Sequence, residues 1–165
     1  MHQFFTMSLT KSSLERIATS FLSAFDNLSV DDHIALRAPL CIHIFAPSSL
    51  NIAPKTNAAF AAHVTNNLLP LLERFPVTAK ETHINETGRQ ITIWATGKPE
   101  FKKEAMGTTP AEAWNYTNEY IFMLDVNEDG KIKKIVEFLD SSSTEKLRGA
   151  ILKARANVGK TGAAW

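Results

Sequence analysis

Residues 114–140, WNYTNEYIFMLDVNEDGKIKKIVEFLD, decide the fold. Aromatic and β-branched residues crowd Trp114 to Val126 and predict a long strand, Asn127 to Gly130 supplies turn chemistry, and Ile132 to Leu139 reads as a returning strand. Residues two apart share a face of a strand. Trp114, Tyr116, Asn118, Tyr120 and Phe122 are therefore expected together, with Asn115, Thr117, Glu119, Ile121 and Met123 opposite.

Working outward, 77–85 and 90–96 are also strand-like, with Asn85, Glu86, Thr87 and Gly88 as a hairpin turn. Residues 97–113 hold Gly97, Pro99, Gly107 and Pro110 and read as a longer loop. The first half has helical periodicity instead. Ser12 with Glu15 forms a capping box before Leu14, Ile17, Ala18, Phe21, Leu22 and Phe25, which predicts a helix over about 13–27. Ser29 with Asp32 opens a short second helix, which Pro39 ends near Arg37. A short strand follows at 41–45, and Asn57 caps a third helix through Phe60, Val64, Leu68 and Leu71. Ser142 with Glu145 caps a last helix to about Ala156, with Asp140 a second candidate cap.

Helices followed by a meander of long strands define an α+β class, in which an antiparallel sheet curls and helices pack on its concave face to leave a pocket. The expected organisation is a flexible leader over 1–10, a single domain over 11–156 and a flexible tail over 157–165.

Composition narrows the function. The 165 residues are 44% hydrophobic, enough for an ordinary single-domain core, and 18 Lys plus Arg against 17 Asp plus Glu give a formal charge of +1. There is no basic block of the kind nucleic acid requires. No apolar run is long enough to span a membrane, and the first nine residues lack the features of a signal peptide. The single cysteine, Cys41, lies in an apolar run, reads as a small core residue, and suits a reducing, cytoplasmic compartment.

Three apparent motifs fail. Asp125, Asn127, Asp129 and Gly130 open like a calcium loop, but the twelfth position, where a bidentate Glu is required, is Val136. Gly159, Lys160 and Thr161 resemble the end of a phosphate loop, without its first glycine or its helix. His2, His33, His43, His63 and His83 are scattered without metal-ligand spacing, and no nucleophile elbow is present.

The residues that can carry chemistry lie in the strands. Tyr116 and Tyr120, on one face with Trp114, Asn118 and Phe122, offer apolar area and phenols able to exchange a proton; the bland alternative is satisfied core aromatics. Glu137 is a lone carboxylate in an apolar strand, either on a solvated face or in the pocket, where burial would raise its pKa and ready it for proton transfer. Arg37 could clamp a carboxylate or polarise a carbonyl, or simply pair with Asp31 or Glu119. His43, His63 and Trp94 complete the pocket candidates, with a core role the alternative for His43.

Arg37 with Cys41-Ile42-His43, the loop Pro47-Ser48-Ser49-Leu50, Asn118-Glu119-Tyr120-Ile121-Phe122 and the run from Lys131-Ile132 to Glu137-Phe138-Leu139-Asp140 together resemble the SnoaL-like branch of the nuclear transport factor 2-like superfamily. The resemblance is particularly to small fungal proteins of secondary-metabolite pathways, over about 11–156. The resemblance implies a cone-shaped sheet and helices, a pocket at one end and a homodimer through the sheet. It also implies cyclisation, ring-rearranging isomerisation or a semipinacol shift on a polyketide, meroterpenoid or indole alkaloid, without metal or organic cofactor. Arg37, Tyr116, Tyr120 and Glu137 match the acid and base roles. The particular Asp, Tyr and His arrangements of scytalone dehydratase and the steroid isomerases are not matched, which ranks dehydration and steroid isomerisation lower. The superfamily also contains non-catalytic binding and interaction modules, since fold does not settle function. An inward Glu137 converging with Arg37 and a Tyr favours the enzyme, and an outward Glu137 the module.

Overall fold

The computed structural model describes residues 9–165. Helix α1 (Lys11–Asp26) buries Leu14, Ala18, Phe21 and Phe25 along one stripe. Its N-cap is Thr10, whose hydroxyl accepts from the Ser13 backbone N–H, two residues earlier than the Ser12–Glu15 reading. Residues 1–8 of the expected leader lie outside the described residues. Helix α2 (Val30–Ala35) starts where expected, with the Ser29 hydroxyl accepting from Asp32 N–H.

Strand β1 (Arg37–Ala46) is longer than read, because its pairing register shifts between Arg37 and Ile42 and so tolerates Pro39. A 3₁₀ turn (Ser48–Leu50) precedes α3 (Asn57–His63), which is capped by Thr56 rather than by Asn57 and runs into a π-helical turn over Val64–Leu68. The short β2 (Leu72–Arg74) pairs with β5 (Glu100–Phe101), and β3 (Val77–Asn85) and β4 (Gln90–Gly97) form the expected hairpin. The loop read over 97–113 contains β5, helix α4 (Lys103–Met106) and the start of a 3₁₀ turn (Ala111–Trp114).

Strand β6 (Asn118–Val126) starts four residues later than the sequence reading. Pro110 opens the 3₁₀ turn, and the Trp114 ring is drawn against Phe101 at 4.8 Å between centroids, so Trp114 and Tyr116 leave the line of the strand. Strand β7 (Ile132–Leu139) and helix α5 (Ser141–Asn157) complete the fold. Asp140 caps α5, accepting from the backbone N–H groups of Ser142 and Ser143. In the β6–β7 turn Asn127 Oδ1 accepts from the N–H groups of Asp129 and Lys131.

The main sheet has the order β1-β7-β6-β4-β3. All neighbours are antiparallel except β1, which runs parallel to β7. Asn118, Tyr120, Phe122, Leu124 and Val126 of β6 point inward with Ile91, Ile93 and Ala95 of β4. α1 packs across β3 and β4, and α3 across β1. The curved sheet and these helices enclose the core and a cavity, the α+β cone expected. Residues 157–165, read as a flexible tail, lie against the body: Arg155 donates to the Thr161 carbonyl at 2.6 Å, Ala164 is buried, and Trp165 lines the cavity.

Candidate active site

The cavity, about 80 Å³, has walls dominated by Phe25, Phe45, Phe60, Leu72, Phe75 and Ile151. That is room for several waters, hence for one part of a multi-ring ligand. The polar side chains facing it are His33, Lys55, His63, Asn118, Tyr120, Glu137 and Thr144.

Glu137 is inward and nearly buried. The parallel register sets Phe45 beside it, and His43, two residues back on the same face of β1, reaches its carboxyl: Nε2 lies 2.8 Å from Glu137 Oε2. The His43 ring is fully buried between Phe45 (4.5 Å, stacked) and Phe60 (5.3 Å, stacked). On its far side Arg37 Nη2 lies 3.2 Å from Nδ1. A guanidinium can only donate, so Nδ1 must accept, the proton of the neutral imidazole sits on Nε2, and His43 donates to Glu137. Burial, with Arg37 and Lys55 beside it, holds the His43 pKa well below its usual value, in keeping with that neutral tautomer.

Burial pushes the Glu137 pKa up to about 8, against the pull of Arg37. The carboxyl is therefore mainly protonated at neutral pH. Since Oε2 accepts from His43, the proton belongs on Oε1. Arg37 keeps its charge, with its pKa lowered to about 10 by burial, and its guanidinium carbon lies 3.8 Å above the Phe60 ring.

A second chain of the same kind serves His63. Arg155 Nη1 donates to Asn67 Oδ1 at 3.1 Å, which fixes the amide so that Asn67 Nδ2 donates to His63 Nδ1 at 3.1 Å. Nε2–H of His63 is left as the donor free for the cavity. The π-helical turn, with Leu69 N–H donating to the Val64 carbonyl at 2.9 Å, sets His63, Val64 and Leu68 all on the cavity wall. Burial lowers the His63 pKa to about 4, so this imidazole is a neutral donor. Lys55 is tied to β1 by two backbone hydrogen bonds with His43, 2.9 and 2.8 Å, and partial burial lowers its pKa. Tyr120 is buried, and burial followed by the nearby Glu137 pushes its phenol pKa up.

Of the residues singled out from sequence, Glu137, Tyr120, Asn118 and His63 line the cavity together. The others do not. Arg37 and His43 stand behind Glu137, off the cavity lining, and among the described residues Arg37 makes no ion pair with Asp31 or Glu119. Tyr116, off the strand, packs against Phe101 at 6.4 Å. Trp114 is buried in the same cluster, and Phe122 is core beneath Tyr120 at 5.4 Å. Trp94 is on the outer face, where Nε1 donates to Glu119. Lys55, His33, Thr144 and Trp165 were not anticipated; only His33 carried a hint, as a His on the buried side of a short helix.

The curled sheet with helices on its concave face is the nuclear transport factor 2-like fold. The BvnE pinacolase of Penicillium brevicompactum shares that fold, with a TM-score of 0.73 over 91% of this chain and 95% of that one at 22% identity. No protein-family model matches the chain. Austinoid biosynthesis cluster protein J of Aspergillus calidoustus is 31% identical over 143 residues, 82% of this chain and 78% of the relative. Cluster protein F of the same fungus is 28% identical over 159 residues, 94% and 85% respectively. The chain belongs to the family of these austinoid cluster proteins.

Proposed function

We propose that the protein is an isomerase or cyclase of secondary-metabolite biosynthesis in which Glu137 is the acid that starts a ring rearrangement. The observation that carries this is Glu137 itself: a carboxyl held neutral by burial, oriented by Arg37 through His43, on the wall of an apolar cavity. Kinship to austinoid cluster proteins and the shared fold with a pinacolase support the pathway class.

In the reaction Oε1–H protonates an epoxide or hydroxyketone carbonyl oxygen, the epoxide C–O bond or the carbonyl π bond breaks toward that oxygen, a neighbouring carbon group migrates with its bonding pair to the electron-poor carbon, and the carboxylate takes the proton released as the adjacent hydroxyl becomes a carbonyl. Atoms balance within one substrate, so the product has the mass of the substrate. Neutral His63 Nε2–H donates to the substrate oxygen as it takes the bonding pair, and Tyr120 holds the framework. Glu137→Gln should lower the rate by roughly 10² to 10⁴, the usual worth of acid–base help, with an unchanged circular dichroism spectrum. The assay incubates polycyclic hydroxyketone and epoxy-alcohol metabolites with the protein and follows same-mass products by chromatography. Full conversion by the variant would remove Glu137 from the mechanism.

The outer sheet face supports a homodimer. Trp94, Ile121 and Phe138 form one exposed cross-strand row and Met123 pairs beside them with Val136, a continuous apolar surface of the kind a second copy covers.

A further inference from the structure

The geometry points to a separate recognition subsite, Asn118 with Thr144, that takes a hydroxyl group of the substrate remote from the reacting carbon. It rests on the reading of the cavity as a substrate site. Both side chains are 1% exposed and line the cavity. Nδ2 and Oδ1 of Asn118 and Oγ1 of Thr144 lack a close hydrogen-bond partner among the described residues, the Tyr120 phenol being a polar group beside the Asn118 amide. Buried polar atoms are almost always satisfied; His33 Nδ1 and Trp165 Nε1 on the cavity lining also lack partners, but Asn118 and Thr144 bring three such atoms into one corner, which marks where a ligand supplies them.

The backbone gathers the two residues into one corner. Asp140 N–H donates to the Glu119 carbonyl at 3.0 Å, which ties the start of α5 to β6 beside Asn118, and Thr144 N–H donates to the Asp140 carbonyl at 2.9 Å, one turn further in. The corner is distant from the acid. Glu137 is level with Phe122 in the β6–β7 register, and Asn118 is four residues further along, about 13 Å at strand rise. Tyr120 lies between them on the same face. A ligand that meets both ends is therefore several rings long.

The chemistry of the corner selects the group. A primary amide offers a donor and an acceptor side by side, and the Thr hydroxyl can be either. A ketone would satisfy Nδ2 and leave Oδ1 bare, as would a carboxylate. An alcohol or phenol satisfies both.

Calorimetric titration with 2-naphthol and naphthalene tests this. Wild-type protein should bind 2-naphthol at least about tenfold more tightly, the worth of satisfying a buried polar group. Asn118→Leu and Thr144→Val should each cut that ratio below about threefold without weakening naphthalene, and Glu137→Gln should preserve it. Should Asn118→Leu fail to fold, the near-isosteric Thr144→Val decides. No preference in the wild type, or a preference that survives at Asn118→Leu and Thr144→Val but vanishes at Glu137→Gln, would overturn the subsite. The test is separable from the catalytic proposal: a ratio lost at Asn118→Leu with full turnover by Glu137→Gln keeps the subsite and removes the acid.

Discussion

At Glu137 burial and charge pull in opposite directions, and burial wins, with the pKa near 8 despite Arg37 close by. An acid that must be protonated works below that pKa, so the rate should hold through neutral pH and fall as pH rises through about 8, read from a pH–rate profile. Arg37→Gln should lower kcat on the order of tenfold while KM stays within about twofold, because Arg37 acts through His43 and lines no cavity wall. It should also move the alkaline limb to higher pH, since the lost charge no longer favours the carboxylate. Equal effects on kcat and KM would place Arg37 on the substrate. Sequence showed Glu137 as a lone carboxylate among Ile135, Val136 and Phe138, and alternation assigned Asn118 and Tyr120 to one face. It could not show that Arg37 turns away onto Phe60, because that depends on α3 packing across β1. Lys55 and Thr144 were invisible for a similar reason: a loop Lys and a helical Thr have ordinary surface readings until the chain folds.

The elements were mostly legible where a local signal fixes them. Ser29 and Asp140 cap helices by their own side-chain oxygens, the β3–β4 and β6–β7 hairpins follow from turn residues, and the stripe of α1 follows from periodicity. Misreadings arose where two signals competed. Thr10, Ser12 and Ser13 can all cap, and Trp114 to Tyr116 has strand propensity but is claimed by Phe101. Gly97 shows a close approach that propensity does not express: a Cβ there would come within 2.7 Å of Tyr120 Cε2 and 3.2 Å of Phe75 Cε2. Gly97→Ala should therefore displace the Tyr120 ring, cost about 1–3 kcal/mol by overpacking, and lower the melting temperature along with turnover. An unaltered melting temperature would mean that the ring yields freely. Asp140→Ala should cost about 1 kcal/mol through the lost cap, measurable by urea denaturation.

For the whole molecule, buried titratable groups give stability an opposed pH dependence. His33 and His63, lowered from 6.5 to about 3 and 4, and the similarly lowered His43 stabilise fully above pH 6.5 and lose that contribution on acidification. Glu137, raised from 4.5 to about 8, stabilises fully below pH 4.5 and loses its contribution as pH climbs to about 8. Among these four groups the histidines outweigh Glu137 below pH 6.5 and Glu137 dominates between there and pH 8, so their joint contribution to stability should peak near pH 6.5. Glu137→Gln should flatten the fall between pH 6.5 and 8, checked by urea denaturation across that range. On the outer face Phe138→Asp should convert a dimer to a monomer in light scattering; a monomeric wild type would contradict the proposed pairing. The cone was legible from the order of helices and strands, whereas the parallel pairing of β1 with β7 joins residues nearly a hundred apart and left no local trace. The most direct test of the account is the carboxyl ¹³C titration of Glu137 by NMR, assigned by its loss in Glu137→Gln. A midpoint near pH 8 is the expected result; a midpoint near 4.5 would mean an ionised carboxylate at neutral pH and would contradict the acid at the centre of this mechanism.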